Sequence, residues 1–187
     1  MKQLIFETST EKACLALLEN KQIVAIEYFF GGPGLSEKLA PATAELLARH
    51  DFSPEQIVVG IGPGSFTGIR VGCSLALSLA FAWKIPLYTA CSLRAFAPAT
   101  LEPFAVLIDA RSAGFYVQLA ESKPFLLPPD GTLPGITHLA SPHPEKIQRR
   151  FNPPEILWHE TSPSPHLLAQ NCSLHDLSTP LSPYYLS

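Results

Sequence analysis

The stretch Val58-Val59-Gly60-Ile61-Gly62-Pro63-Gly64-Ser65-Phe66-Thr67-Gly68-Ile69-Arg70-Val71-Gly72 decides how the chain is read. Ile57 to Ile61 is a short apolar run with β-branched residues, which predicts a strand. From Ile69 to Trp83 the chain is almost wholly apolar, and this predicts a helix. Three glycines and a proline separate the two. Gly62, Gly64 and Gly68 can take positive φ, and Pro63 fixes the entry to the loop. Ser65 and Thr67 are both candidate N-caps. Such a junction leaves backbone N–H groups without intrahelical partners and suits an anion or a partner's carbonyls. The plainer reading is a tight strand-to-helix connection. The loop lacks the Lys-Ser/Thr pair of a P-loop and the GxGxxG spacing, so generic phosphate-loop assignments do not apply.

Upstream, Leu4-Ile5-Phe6, Ala13–Leu18 and Gln22–Phe30 read as three strands joined by short turns, hence an antiparallel meander. Gly31-Gly32-Pro33-Gly34 breaks the chain. Ser36 is a candidate N-cap for a helix to about His50, with Leu39, Ala42, Leu46 and Leu47 on one face and Pro41 near its first turn. Downstream, Ile85–Thr89 predicts a fifth strand, and Ser92 caps a short helix through Ala97. Three strands, helix, strand, helix, strand is the pattern of a ribonuclease-H-like or actin-like ATPase half, an α/β mixed sheet with packed helices.

Five of the 19 prolines fall in residues 1–97 and 14 in residues 98–187. Proline removes ladder and helix donors. Residues 1–97 are therefore read as an actin-like N-terminal subdomain and 98–187 as a reduced, Pro-rich second one. In the latter, Phe104–Ile108 and Phe115–Ala120 predict a hairpin around Asp109-Ala110-Arg111. Glu155–Trp158 reads as a strand and His166–Gln170 as a helix, and no internal repeat is visible.

Composition sets further bounds. With 187 residues, 47% apolar and 16% charged, the chain has a real core and is not disordered throughout. A net charge of −3 gives no global attraction to nucleic acid. The four cysteines are scattered without a CxxC, as in a reduced, cytoplasmic protein. No targeting segment is evident, and the apolar 69–83 stretch falls short of the ~20 residues that span a bilayer. That stretch leaves almost no polar face, which predicts burial on all sides: against the sheet, and against the 36–50 helix, a second chain, or both.

Catalytic constellations are missing. The six histidines include no HExxH, so no metal site is expected. The carboxylates Glu7, Glu45 and Asp109 do not cluster as a two-metal nuclease requires. Gly64-Ser65-Phe66-Thr67-Gly68 is not the GxSxG of a serine hydrolase. Glu7-Thr8-Ser9-Thr10 loosely matches a phosphate-holding hairpin, with Thr8 and Ser9 as its vestige. The last 90 residues look too short and irregular to close over a nucleotide. A small actin-like kinase or ATP hydrolase using this hairpin and the Gly62–Gly68 loop is thus the second reading. Arg70 stands in the first turn of a helix, where the dipole disfavours it, so a salt bridge to Glu7 or Asp109 is expected.

The string Gly62 to Gly72 closely resembles the hallmark of the TsaB (YeaZ) family, non-catalytic relatives of TsaD in making threonylcarbamoyladenosine in tRNA. Phe6–Glu11, Ser36–Pro41, Asp109-Ala110-Arg111 with Tyr116, and Pro183-Tyr184-Tyr185-Leu186 resemble further family stretches in the same order. Glu7 stands where the family usually has Asp, Leu35 where it commonly has His, and Ser187 where it ends in Arg. The resemblance implies a cytoplasmic scaffold with no catalytic residue, metal or cofactor of its own. It would pair with a TsaD-like catalytic subunit, join a TsaE-like ATPase that uses ATP, serve tRNA indirectly, and engage no membrane. It also implies that pairing, and any homodimer, uses the two helices through Leu39, Thr43, Leu46, Gly72, Leu75, Ala76, Leu79 and Trp83. The motif loop is then Gly62, Pro63, Gly64, Ser65, Phe66, Thr67, Gly68 and Arg70.

Overall fold

In the computed structural model, residues 1–30, 34–100, 102–120 and 122–184 are described. The Gly31-Gly32-Pro33 break and the terminal Tyr185, Leu186 and Ser187 lie outside them. The described residues form two sheets. β1 (Lys2–Glu7), β2 (Lys12–Glu19) and β3 (Gln22–Phe30) make the expected meander, with Phe6 opposite Leu15 and Cys14 opposite Tyr28. α1 (Leu35–Arg49) follows, then β4 (Gln56–Gly60) parallel to β1, α2 (Phe66–Trp83), and β5 (Leu87–Ala90) parallel to β4. A 3-10 turn, Ser92–Phe96, ends this half. The β3-β2-β1-β4-β5 order is the ribonuclease-H-like, actin-like arrangement that the chain order predicts.

The second sheet is more regular than its prolines imply. β6 (Phe104–Asp109), β7 (Phe115–Leu119) and β8 (Phe125–Leu127) form a second antiparallel meander. β9 (His138–Ser141) runs parallel to β6, and α3 (Pro144–Gln148) leads to β10 (Leu157–Glu160), parallel to β9. Its order, β8-β7-β6-β9-β10, repeats that of the first sheet. The repeat is one of topology, and this corrects the expectation of a second half without one. It escaped a reading by sequence because α1 has no counterpart here and α3 has only five residues. α4 (Pro165–Gln170) and β11 (Cys172–His175) then return to the first half, where β11 pairs antiparallel with the β5 edge.

Strand alternation sorts the core into layers. Leu4, Phe6, Leu15 and Leu17 face α1 and α2. Ile5, Ala16, Leu18 and Val58 face the other way, onto Leu93 and Phe96, Leu168 of α4, and Val106, Ile108 and Ala140 of the second sheet. The far face of that sheet packs Leu107, Phe115, Val117 and Leu139 under Ile147 and Phe151.

Several local expectations change. α1 starts two residues earlier than predicted, with Gly34 at its N-cap at φ 111° and no side-chain cap, so Ser36 lies inside the helix. α2 has 18 residues and by length and composition could cross a membrane. Its Gly68, Ile69, Gly72, Cys73, Ala76 and Ala80 instead pack on the sheet. It is not buried all round: Phe81 is 75% and Trp83 40% exposed.

Candidate functional site

The glycine-rich loop is built around the turn between β1 and β2. Pro63 follows a cis peptide bond, and Gly62 has φ 96°, a left-handed conformation that favours glycine. Ser65 N–H donates to Ser9 O at 2.6 Å, and Ser65 Oγ accepts from Gly68 N–H at 3.3 Å as the N-cap of α2. Four glycines spaced by four residues then give way to the hairpin. A Cβ on Gly60 would strike the Glu7 carboxylate and stand 2.6 Å from Ser92 Oγ; one on Gly64 would strike Ser9 O. One on Gly68 would strike Thr8 O, and one on Gly72 Thr8 Oγ1. Gly68 is therefore required for close approach and not for positive φ. The motif is a socket for Glu7-Thr8-Ser9.

Glu7 is wholly buried at the bottom of this socket. Its Oε1 accepts from Ser9 N–H at 2.7 Å, and its Oε2 has no partner. Burial pushes its carboxyl up to about 6, against the opposing hydrogen bond from Ser9 N–H. Thr8 Oγ1 and Ser9 Oγ are buried without partners. Arg70 forms no salt bridge with Glu7 or Asp109, contrary to expectation. Its guanidinium lies 3.8 Å from the centre of the Phe66 ring, while Asp109 pairs with Arg150 at 2.7 Å. Glu7 is enclosed out of reach.

The topological repeat sets the corresponding loops of both halves around a cleft of about 560 Å³. The first hairpin gives Ser9 to Glu11, the glycine loop Gly64 to Thr67, the second hairpin Ile108 to Arg111, and the β9–α3 corner Ser141 to His143 and Lys146. This corrects the expectation that the second half cannot close over the first. Its acids are paired internally, however, while the Arg111 guanidinium forms no ion pair among the described residues. Glu11 is held by Lys146, with His143 Nε2 3.6 Å away, and Lys12 pairs with Glu160. These cations hold the Glu11 and Glu160 carboxyls below their usual range. Arg150 also donates to Arg111 O at 2.6 Å.

The helix-face residues separate into two groups. Leu39, Thr43, Leu46, Gly72 and Ala76 are buried against the chain's own sheet and cannot meet a partner, which corrects that part of the expected surface. Helix period puts each of them on the core side, with Thr43 Oγ1 turned back to Leu39 O. Leu75 and Leu79 are half-buried, and Trp83 is exposed. Also exposed on α2 are Phe66 (53%), Arg70, Ser74, Ser78 and Phe81, while Leu77 is half-buried like Leu75 and Leu79. Sequence reasoning overlooked Phe81 as a surface residue, although it shares helical spacing with the polar Ser74 and Ser78. It also overlooked His138 and His159, whose Nδ1 and Nε2 lie 2.7 Å apart across neighbouring strands. Among the described residues no group of three or more metal-ligating side chains exists.

Comparison with known proteins agrees with this geometry. Residues 33–123 match the family model of TsaD, tRNA N6-adenosine threonylcarbamoyltransferase. The tRNA threonylcarbamoyladenosine biosynthesis protein TsaB of Bacillus subtilis is 32% identical over 169 residues, covering 87% of this chain and 72% of the relative. The structure of YeaZ from Pseudomonas aeruginosa superposes with a TM-score of 0.73 at 25% identity, over 90% of this chain and 88% of that one. An uncharacterised protein described as similar to the peptidase YeaZ from Pseudomonas aeruginosa shares the fold, with a TM-score of 0.81 at 22% identity over 100% and 99% of the two chains. Identity of 32% over most of the length of both this chain and the Bacillus subtilis relative leads to one conclusion: the chain belongs to the TsaB (YeaZ) family.

Proposed function

We propose that this chain takes part in tRNA threonylcarbamoyladenosine biosynthesis as a non-catalytic subunit that pairs with a TsaD-like enzyme through the open side of α2. The observation that carries the reading is the exposed aromatic pair Phe81 and Trp83 at the end of α2, on a helix whose other face is core. Aromatic residues exposed on a rigid element are what binding hot spots are made of. The cleft supports the same view: its loop amide Ser65 N–H is taken by Ser9 O, Lys146 is held by Glu11, and Asp109 is held by Arg150. A kinase or ATP hydrolase would need those groups for phosphate. The chain then contributes no cofactor, and a TsaE-like ATPase supplies ATP use in a cytoplasmic assembly that serves tRNA indirectly. A homodimer on the same helix would compete with the enzyme.

The test is co-purification with the TsaD-like protein of the same organism, with threonylcarbamoylation measured with and without this chain. Phe81→Glu is expected to keep the fold and lose pairing by at least tenfold, because a charge replaces an exposed aromatic anchor. Leu79→Glu is expected to unfold the chain as well, since Leu79 packs against its own core. Full pairing by folded Phe81→Glu, or modification that proceeds without the chain, would overturn the reading.

A further inference from the structure

The two sheets have four edges. Those at β8, β10 and β11 have only three or four residues each. The fourth, β3, has nine. β2 is its single strand neighbour, and among the described residues no backbone hydrogen bond reaches its outer side. An open row of N–H and C=O groups is a template for another strand, and edges are ordinarily blunted by brevity, lysine or proline. β3 has none of these. Its one charged side chain, Glu27, is held by Arg49 of α1 at 3.1 Å. The pairing with β2 is irregular near Val24, opposite the Leu17–Leu18 step, and regular from Ala25 to Phe30. Ala25 and Phe29 pack on the helix side, and Ile26 on the side of the second sheet. Strand alternation puts Tyr28 and Phe30 on the same side as Ile26. The second sheet buries Ile5 and Ala16 there but leaves Tyr28 40% and Phe30 73% exposed, with ring centres 6.3 Å apart.

We propose that β3 is an edge at which two copies of this chain pair, antiparallel along Ile26–Phe30, about a two-fold axis normal to the sheet at Tyr28. Charge and register point to a second copy. An axis at Glu27 would set two carboxylates opposite each other, and one at Ile26 would carry the ladder into the irregular step at Val24. An axis at Tyr28 avoids both. It pairs Tyr28 with its own copy, Ile26 with Phe30 and Glu27 with Phe29, so no like charges meet. Aromatic pairs and aromatic–β-branched pairs are the favourable kind across strands. The same axis keeps Ile26, Tyr28 and Phe30 of both copies on one face, where the Phe30 of each copy is covered by the other's Ile26. The strand is thus its own complement. α2 packs over β4, β1 and β5, away from this edge. The dimer therefore uses neither Phe81 nor Trp83 and does not depend on pairing with an enzyme, so either reading can fail alone.

The experiment is sedimentation velocity of the full chain from micromolar to millimolar concentration, joined to a cross-linking assay. The parent chain is expected to dimerise reversibly. Tyr28→Lys, at an exposed position, should weaken the dimer by at least about tenfold, the scale of an interface anchor. Phe81→Glu should leave it unchanged. Tyr28→Cys places two thiols at the axis within disulfide reach, and mild oxidation should cross-link it beyond the level of the parent, whose own cysteines are buried or half-buried. Gln22→Cys, whose copy lies at the far end of the ladder, should not cross-link. The proposal fails if the parent stays monomeric to millimolar concentration, if Phe81→Glu rather than Tyr28→Lys dissolves the dimer, or if Gln22→Cys cross-links as fast as Tyr28→Cys.

Discussion

At the scale of single residues, Glu7 is the most informative side chain, because it is an acid sealed in a socket with one oxygen unpaired. Its carboxyl is raised to about 6 chiefly by burial. An acid with a raised pKa binds its proton more tightly in the folded state, so stability falls as pH rises from about 4.5 through 6 and then levels. A shift of that size corresponds to about 2 kcal/mol. Glu7→Gln carries no such slope. Its stability relative to the parent, from denaturant unfolding at pH 4 and pH 8, should improve by about 2 kcal/mol across that range. A difference that stays constant with pH would show that Glu7 titrates normally. Sequence marked Glu7 as a departure from the family's Asp, and the structure shows what accommodates it. Gly60, on the neighbouring strand, has no side chain where the longer carboxylate lies. That partnership spans more than fifty residues and leaves no local signature, so it was not legible in advance.

Among elements, α2 has to be explained twice, once for its glycines and once for its open face. Glycine inside a helix costs up to ~1 kcal/mol relative to alanine, so Gly72→Ala would stabilise α2 taken alone. In the folded chain the new Cβ meets Thr8 Oγ1, and overpacking of that kind costs about 1–3 kcal/mol. The clash should win, and unfolding measurements should find Gly72→Ala destabilised. Thr8→Ala, in the same chain, should restore most of the loss by removing the obstructing atoms. Gly68→Ala should not be rescued by Thr8→Ala, because its Cβ meets the Thr8 backbone carbonyl. Additive behaviour of Gly72 and Thr8 would disprove the socket. The elements themselves were largely legible: apolar, β-branched and aromatic runs joined by short turns marked β1 to β3, and apolar runs marked β4, β6 and β7. β8, β9 and β11 have three or four residues each and lie among prolines, too short for periodicity to speak. The open face of α2 was misread because hydrophobicity all round predicts burial. Its partly buried leucines do share the core, with Leu177 and Leu181 of the returning chain, but Phe81 and Trp83 extend past it.

For the whole molecule, the question is what joins the two sheets. Ion pairs cross the cleft between Lys12 and Glu160 and between Glu11 and Lys146. Their acids are exposed, and exposed pairs contribute ~0–1 kcal/mol. The apolar layer is the stronger link: Phe96 and Leu93 are fully buried between Ile5, Leu18 and Val58 of one sheet and Val106 and Ile108 of the other. Removing a buried Phe side chain costs about 3–5 kcal/mol. Phe96→Ala should therefore destabilise both halves together, whereas Lys146→Ala should change stability little. The two tryptophans make this measurable, since Trp83 ends α2 in the first half and Trp158 lies on β10 in the second. Trp83→Phe and Trp158→Phe leave one fluorescent reporter per half. If the apolar layer couples the sheets, the two reporters give coincident unfolding curves, and Phe96→Ala lowers both midpoints equally. Split curves in the parent chain, or a larger loss from Lys146→Ala than from Phe96→Ala, would mean that surface charge and not the shared core holds the halves together.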